Sequence, residues 1–247
     1  MRVLVGGGTG FVGGALTQLL RSRGHEVTHV SRHLGPDRIS WDELARSGLP
    51  PCDAAVNLAG ENVLNPLRRW DDPFRRVVVT SRVATTKTLA KAIAEAERPP
   101  RAWVLVTGVG VVLGKGGGAV SQMLWPFRLG LGGPVGSGLQ PFPWIHVRDV
   151  AGVVCHALET EGVHGVLNGV SPASPSTSNA DFARELGSAL GRPALLPLPS
   201  WAVRGVFGAE RAVMLLEGQR VAPKRTLESG YCFVYPDLPS ALRDIVS

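Results

Sequence analysis

Three glycines near the start of the chain have the spacing that lets a peptide backbone approach a phosphate. Gly7, Gly10 and Gly13 follow directly on the apolar run 2–5. Glycine allows a tight turn at positive φ, and its missing Cβ lets a pyrophosphate and a helix come close to the backbone. The pattern predicts a dinucleotide site, and the alternative is a glycine-rich turn that holds no ligand. The predicted contacts in this segment are Gly7, Thr9, Gly10, Phe11, Val12 and Gly13.

The elements on either side of these glycines favour the dinucleotide site over the empty turn. Residues 2–5 are an apolar run typical of a buried strand. Apolar residues then recur at helical spacing from Phe11 to Leu20, and Gly24 ends the pattern. A strand, a glycine turn and a helix in this order would direct free N–H groups and the positive end of the helix at the phosphates.

The residues at the end of the second predicted strand, 26–31, indicate which dinucleotide fits. An acidic residue there would accept hydrogen bonds from the ribose 2′-hydroxyl and would repel a 2′-phosphate. This chain carries Ser31 and Arg32 instead, with His33 next. A hydroxyl and a guanidinium suit a phosphate dianion, so the sequence predicts NADP(H) as cofactor, held by Ser31 and Arg32. The alternative is a surface arginine in a loop.

Strands and helices alternate through the first half of the chain. The apolar run 53–60 predicts a strand that ends in small residues, beside which a cofactor can lie close to the backbone. A helix is predicted over 70–97 and a further strand over 102–107. This alternation predicts the α/β class, with a doubly wound parallel sheet of the Rossmann type. The predicted contacts after the strand in 53–60 are Leu58, Ala59 and Gly60.

Composition argues against several other classes of protein. The net charge is +6, but the arginines are scattered, for example at 68–69 and 75–76, without the clustered patch of a nucleic-acid binder. No apolar run is long enough to span a bilayer, and the first strand begins too early for a leader peptide. Cys52, Cys155 and Cys232 have no metal or redox spacing. We expect an intracellular protein of a reducing compartment, the cytoplasm first, with nucleus and mitochondrion left open, and no nucleic-acid, membrane or metal partner.

Five stretches together carry a resemblance to a known family: 7–13, 56–62, 126–134, 144–151 and 215–221. They resemble the extended short-chain dehydrogenases/reductases, and more narrowly the atypical epimerase-family branch of the 39U member 1 type. The likeness covers nearly the whole chain. It implies NADP(H) binding and an oxidoreductase or nucleotide-sugar-epimerase-like activity on an unknown small molecule, and it leaves the oligomeric state open. By position in the motifs, it places at the cofactor Ser31, Arg32, Leu58, Ala59, Asn62 and Arg82.

The chain departs from the family in its catalytic residues. Ordinary members use a Ser or Thr after the fourth strand and a Tyr-x-x-x-Lys on the next helix, where the lysine lowers the pKa of the tyrosine. The chain has two tyrosines, Tyr231 and Tyr235, and neither has a lysine four residues later. Thr107 is the one remaining candidate for the catalytic hydroxyl. Without a partner, it is expected to be structural.

A whole strand–helix unit is also missing after Gly108. The predicted strand 102–107 is followed, after residues 108–110, by 111–118, which resembles the stretch after the family's fifth strand. A crossover to a parallel strand takes a dozen or more residues, so one βα unit is absent, as in a splice variant or a gene-model error. Either apolar faces of the sheet are exposed, or 103–113 runs on as one fused strand.

The C-terminal half is predicted to contribute a small lobe on the substrate side. We place a cofactor-binding domain at 1–170, interrupted near 108–111, and the lobe at 171–247. His146 has the chemistry of an acid or base, but a packed histidine beside Trp144 is the commoner arrangement. Smaller features predicted here are a helix over 122–131, an N-cap at Asp149, a strand over 165–170 and an N-cap at Asn179.

Three interpretations of the whole chain stay open. The first is an NADP(H)-dependent oxidoreductase or epimerase-like enzyme, as the family resemblance implies. The second is a non-catalytic NADP(H)-binding protein with a regulatory or sensing role. The third is an internally deleted product that folds poorly, which would fail to unfold in a cooperative transition.

Overall fold

A computed structural model describes residues 1–33, 35–65 and 67–247. The chain forms two compact units. Unit 1 comprises Met1–Val63, Asp71–Thr107 and Ala151–His164, and unit 2 comprises Leu64–Trp70, Gly108–Val150 and Gly165–Ser247. Both units are therefore assembled from separate stretches of chain. The division at residue 170 into a cofactor domain and a substrate-side lobe stays a prediction, since it concerns function.

Unit 1 is built on a five-stranded parallel sheet in the order β3-β2-β1-β4-β5. Its strands are β1 (Arg2–Gly6), β2 (Glu26–Val30), β3 (Arg38–Ile39), β4 (Ala54–Asn57) and β5 (Ala102–Leu105). Its helices are α1 (Phe11–Ser22), α2 (Trp41–Ser47), α3 (Asp72–Ala94) and the part of α5 (Val147–Glu159) from Ala151 onward. The predicted α/β class with a doubly wound parallel sheet is confirmed.

Both faces of this sheet are buried at its centre, as is usual when helices cover a parallel sheet on each side. Val3 and Val5 point to one face, where they pack with Leu16 of α1 and Val154 of α5. Leu4, between them, points to the other face with Leu44 of α2 and Leu89 of α3. The continuous apolar run of β1 thus supplies two separate cores.

The sheet ends where the βα unit is missing. β5 is an edge strand, and Trp103 and Leu105 on it remain 41% and 43% exposed. The next strand, β6 (Val111–Leu113), does not join this sheet but pairs in parallel with β7 (Trp144–His146) in unit 2. The fused strand over 103–113 is therefore wrong. The Val106 N–H still donates to the Asn57 carbonyl of β4, and residues 107–110 then leave the ladder, because no crossover returns the chain to the edge of β5.

Unit 2 packs helices around the small β6–β7 sheet. Its helices are α4 (Gly118–Arg128), the start of α5, α6 (Asn179–Leu190), α7 (Ser200–Leu216), α8 (Lys224–Glu228) and α9 (Leu238–Val246). The core joins Trp144 of β7 to Phe182 of α6 and Leu242 of α9. Among the described residues, no helix has the length and apolar character needed to cross a bilayer.

Asp149 is not the N-cap that was predicted, because α5 already begins at Val147. Its carboxylate is fully buried and accepts hydrogen bonds from the backbone N–H of Val234 (2.7 Å) and of Tyr235 (2.9 Å). The Tyr231 hydroxyl donates a third, at 2.9 Å. This carboxylate therefore fastens the segment before α9 to the first turn of α5, a long-range role that no local spacing indicates.

Two other local predictions in unit 2 were wrong, and a predicted helix is present with shifted bounds. Ser178, not Asn179, caps α6 in a reciprocal capping box with Asp181, and the Asn179 side chain accepts from the Val135 N–H instead. Residues 165–170 form no strand, since Gly165 has a φ of 80° and the carbonyl of Asn168 accepts from the Thr226 hydroxyl. The helix predicted over 122–131 lies at 118–128.

We expect Asp149→Asn to destabilise the protein by about 3 kcal/mol, because an amide group offers an N–H to a backbone N–H that needs an acceptor. Urea denaturation measures the loss. The matched carboxylate-to-amide control is Glu97→Gln at an exposed position, expected within about 0.5 kcal/mol of the parent. Equal stability of the two variants would contradict the role assigned to Asp149.

Candidate functional site

The glycine turn has the geometry that its spacing predicted. Gly7 adopts a φ of 76°, and the Gly10 N–H donates to the Gly7 carbonyl at 3.0 Å. Gly10 is the N-cap residue, and α1 begins at Phe11. A methyl group at Gly13 would lie 2.2 Å from the Gly7 carbonyl oxygen. The helix therefore rests directly on the turn, and its N-terminus opens at the carboxyl end of β1.

The end of β4 lies against this turn. A methyl group on Gly7 would lie 2.8 Å from the Ala59 nitrogen. The buried Asn57 side chain accepts from the Ala59 N–H at 3.0 Å and donates to the Thr86 hydroxyl at 3.1 Å. Asn57 thereby holds the Leu58–Ala59 turn against the glycine turn. The small residues of 53–60 thus lie where the sequence placed them, beside the positive end of α1.

Arg82 of α3 supports the residues that follow. Its guanidinium donates to the Glu61 carbonyl at 2.9 Å and to the Val78 carbonyl at 3.2 Å, and it lies against Gly60. The exposed Asn62 comes directly after this turn. Only the family resemblance placed Arg82 at the site. In the structure it lies near the carboxyl end of β4, and its role as a cofactor contact stays a prediction.

Ser31 and Arg32 follow β2 at the same edge of the sheet. Ser31 is buried, and its hydroxyl accepts from the His33 N–H at 3.2 Å. The Arg32 side chain is 77% exposed and lies 4.0 Å from the Glu61 carboxylate. Such an exposed ion pair contributes little and is easily exchanged for another anion. The roles of these residues as cofactor contacts stay predictions.

The hydroxyl groups considered for catalysis belong to different units of the chain. Thr107 is exposed just beyond β5, at the end of unit 1. Both tyrosines lie in unit 2, where Tyr231 bonds to Asp149 and the Tyr235 hydroxyl donates to Asp244 at 2.8 Å. Burial, with the bond to Asp244, raises the pKa of Tyr235. Thr107 remains a prediction as the catalytic hydroxyl.

His146 is a packed histidine. It is 1% exposed, its ring centroid lies 4.0 Å from that of Tyr235, and Nε2 is 3.3 Å from the Asp244 carboxylate. Burial lowers its pKa, although Asp244 and Asp149 oppose that shift. The carboxylate partner that sequence spacing failed to reveal comes from α9, far along the chain. A ring this deeply buried is structural rather than an acid or base for a ligand.

Among the described residues, one group of side chains in unit 1 has metal-ligand chemistry. His25, Cys155 and Glu159 have ligand atoms within 4.8 Å of one another. Glu159 accepts from His25 Nε2 at 2.8 Å and from the Arg23 guanidinium. Burial, with the bond to Glu159, raises the pKa of the Cys155 thiol to about 12. The geometry is that of a salt bridge centred on Glu159, with a protonated thiol beside it.

His29 is a site residue that the sequence reasoning missed. It is 8% exposed on β2, and its ring lies so close to Gly8 that a methyl group there would come within 2.3 Å. Its Nε2 lies 2.9 Å from the Thr17 hydroxyl, which in turn donates to the Gly13 carbonyl at 2.7 Å. The alternation of side chains along β2 could have predicted its burial, because it puts His29 on the same face of the sheet as Val27.

Comparisons with known proteins agree with this geometry. The model of the NAD dependent epimerase/dehydratase family matches residues 3–108, and that of a domain of unknown function, DUF1731, matches residues 198–245. The chain is 58% identical to the epimerase family protein SDR39U1 of Bos taurus, and the match covers 100% of both chains. The chain belongs to the SDR39U1 epimerase family.

Solved structures agree with this membership. The crystal structure of human SDR39U1, isoform 2, with NADPH is 56% identical, has a TM-score of 0.97 and covers 99% of each chain. The UDP-glucuronic acid 4-epimerase of Bacillus cereus, at 15% identity and a TM-score of 0.74, shares the fold; that match covers 99% of this chain and 97% of the epimerase. The predicted resemblance to the epimerase branch is thus confirmed.

The comparison with SDR39U1 also measures the missing segment. The alignment with the bovine protein runs over 295 positions against the 247 residues here, so at least 48 positions have no counterpart in this chain. Even a complete βαβ unit takes only about 30 residues or more, so the difference is large enough for the unit absent between β5 and β6.

We expect Gly13→Ala and Gly14→Ala to change stability in opposite directions, although both lie in α1. The Gly13→Ala methyl group meets the Gly7 carbonyl and should cost about 1–3 kcal/mol, whereas nothing lies within 4 Å of a methyl group at Gly14. Gly14→Ala should gain about 0.5–1 kcal/mol from helix propensity. Urea denaturation of both variants checks this. Equal effects would mean that the helix does not rest on the turn.

Proposed function

We propose that this chain binds NADP(H) at the carboxyl ends of β1, β2 and β4 and serves as an NADP(H)-dependent oxidoreductase or nucleotide-sugar-epimerase-like protein. The observation that carries the proposal is the turn of Gly7–Gly13, which leads into α1 and lies against the turn of Leu58–Ala59. The human SDR39U1 structure with NADPH, a relative at 56% identity, supports the choice of ligand.

The preference for NADP(H) over NAD(H) rests on the end of β2. Ser31 and Arg32 stand where an acidic residue would select the free ribose hydroxyls. The Arg32 side chain is 77% exposed and lies 4.0 Å from the Glu61 carboxylate. A phosphate dianion can replace this carboxylate, because it carries more negative charge and can accept paired hydrogen bonds from the guanidinium.

The residues present define what this chain contributes to chemistry. A bound nicotinamide supplies hydride transfer. The backbone N–H groups at the start of α1 would hold the pyrophosphate, Asn57 would keep the Leu58–Ala59 turn in place beneath it, and Arg82 would support residues 60–62. Thr107 is the candidate hydroxyl for a substrate, whose identity the site leaves open.

A second candidate is a non-catalytic NADP(H)-binding protein with a regulatory or sensing role. The specific observation in its favour is the absence of a Tyr-x-x-x-Lys anywhere in the sequence, together with the βα unit missing after β5. A chain without the tyrosine–lysine pair would lack the family's acid–base chemistry. It could still bind the cofactor, because the glycine turn of residues 7–13 does not depend on that pair.

Calorimetric titration of the purified chain with NADPH, and with NADH as the comparison, tests the proposal. We expect NADPH to bind at least tenfold more tightly, a difference of about 1.4 kcal/mol. A cooperative urea transition measured in parallel excludes a poorly folded product. If the folded chain bound neither dinucleotide, the proposed function would be wrong.

We expect Arg32→Asp to weaken NADPH binding far more than NADH binding, because an aspartate repels the 2′-phosphate and accepts from the ribose hydroxyls. Calorimetry with both dinucleotides measures the ratio. Arg98→Asp, at an exposed position of unit 1, repeats the change in net charge away from the site. Equal losses for the two dinucleotides would sink the assignment of Arg32.

The loss of nicotinamide absorbance, followed with a panel of nucleotide sugars and small carbonyl compounds, separates the enzyme from the sensor. We expect an enzyme to lose turnover in Thr107→Val, to keep most of it in Thr107→Ser and to bind NADPH equally in both. Tight NADPH binding with no turnover across the panel would favour the non-catalytic candidate.

A further inference from the structure

An open groove of about 480 Å³ lies within unit 1 between α1 and the outer strands β2 and β3. Apart from Gly8 and Thr9 of the glycine turn, neither the sequence motifs nor the proposed function assigns a role to the residues that line it. Residues of four successive elements line it: Gly8 and Thr9; Gly14, Thr17, Gln18 and Arg21; His29; and Arg38.

One end of the groove is the predicted cofactor turn itself. Gly8 and Thr9 lie between Gly7 and Gly10, and the ring of His29 packs directly on Gly8. A dinucleotide whose pyrophosphate rests on this turn would therefore have its adenosine ribose beside the mouth of the groove. Whatever the groove recognises is then attached to, or adjacent to, that ribose.

The lining of the groove is cationic. β2 and β3 pair in parallel with His29 opposite Arg38, so the two side chains leave the same face of the sheet. Arg21 lies on the face of α1 that also carries Gly14 and Gln18, and its charge is partly balanced by Asp37 at 3.4 Å.

Arg38 and Arg32 differ in whether a carboxylate lies beside the guanidinium. Among the described residues, Arg38 forms no ion pair with a carboxylate, and it lines the groove. Arg32, at the end of β2, lies 4.0 Å from Glu61. An incoming dianion therefore meets a free guanidinium at Arg38, whereas at Arg32 it has to displace a carboxylate.

We propose that this groove is a phosphomonoester subsite in which Arg38 binds the 2′-phosphate of NADP(H), with Arg21 as the second cation. The inference rests on the proposed function and extends it, since it moves much of the selectivity from Arg32 to a residue on β3. Arg32 then acts at the outer side of the same phosphate, after release from Glu61.

His29 gives the subsite a second signature. The Thr17 hydroxyl donates to the Gly13 carbonyl, so its oxygen accepts from His29 Nε2–H and leaves Nδ1 as the unprotonated nitrogen. Burial lowers the pKa of His29, Arg21 and Arg38 lower it further, and Asp37 opposes them. A phosphate dianion in the groove adds negative charge beside the imidazole and should raise that pKa again.

The first experiment titrates Arg38→Gln and Arg38→Lys with NADPH and with NADH. We expect Arg38→Gln to weaken NADPH roughly tenfold or more, to leave NADH unchanged, and Arg38→Lys to recover part of the loss. Arg46→Gln, on the exposed side of α2, is the matched control. A melting curve for each variant shows whether it folds. If Arg38→Gln does not fold, the affinities for NADPH and NADH are compared in Arg38→Lys and Arg21→Gln instead.

The outcomes separate the two proposals. If the parent prefers NADPH and Arg38→Gln keeps the same NADPH-to-NADH ratio, the subsite is overturned and the proposed function stands. If the parent binds neither dinucleotide, both fall.

The second experiment follows the imidazole signals of the parent by NMR during a pH titration, with and without NADPH, and assigns His29 by His29→Asn. We expect NADPH to raise the pKa of His29 more than NADH does, because both bring a pyrophosphate to the turn at Gly8 but only NADPH carries the 2′-phosphate. An equal rise with the two dinucleotides, or an unchanged pKa with NADPH bound, would overturn the subsite.

Discussion

The close contact between Gly13 and the Gly7 carbonyl is the constraint on which the rest of unit 1 depends. It allows α1 to cross the end of β1 without a side chain between them, so the positive end of the helix faces the carboxyl edge of the sheet. The same helix position brings the Thr17 hydroxyl, which bonds to the Gly13 carbonyl one turn earlier in α1, within reach of His29. The face of α1 that lines the groove and the turn proposed to bind the pyrophosphate therefore both depend on this one close contact.

Sequence reasoning succeeded where structure is local. The positive φ at Gly7, the start of α1, the buried β1 and the small residues after β4 all follow from spacing and residue type over a few positions. It failed where partners are distant in sequence. The position of Asp149 suggested a helix cap, but its carboxylate oxygens accept hydrogen bonds from residues more than eighty positions later in the chain. His146 and Asp244 meet only because α9 packs against β7.

The candidate site shows the same division. The glycine motif and the dipeptide Ser31–Arg32 could be recognised in the sequence. Each lies in one short segment directly after a strand, so its position in the fold follows from local pattern. Arg38 could not, since its relevance depends on the parallel register that sets it opposite His29. Register is a property of two strands, and a single strand of two residues carries no periodicity from which to infer it.

Unit 1 is discontinuous in the chain, and this has a consequence for how it is made. Its core includes Ala151, Val154, Cys155 and Leu158, which pack against Val3, Leu16 and Val27. These four residues lie on α5, and the ribosome synthesises residues 108–150 of unit 2 before it reaches them. During translation the face of the N-terminal sheet that carries α1 must therefore stay only partly covered until α5 leaves the ribosome, and a fragment ending at Thr107 would have a permanently unfinished core.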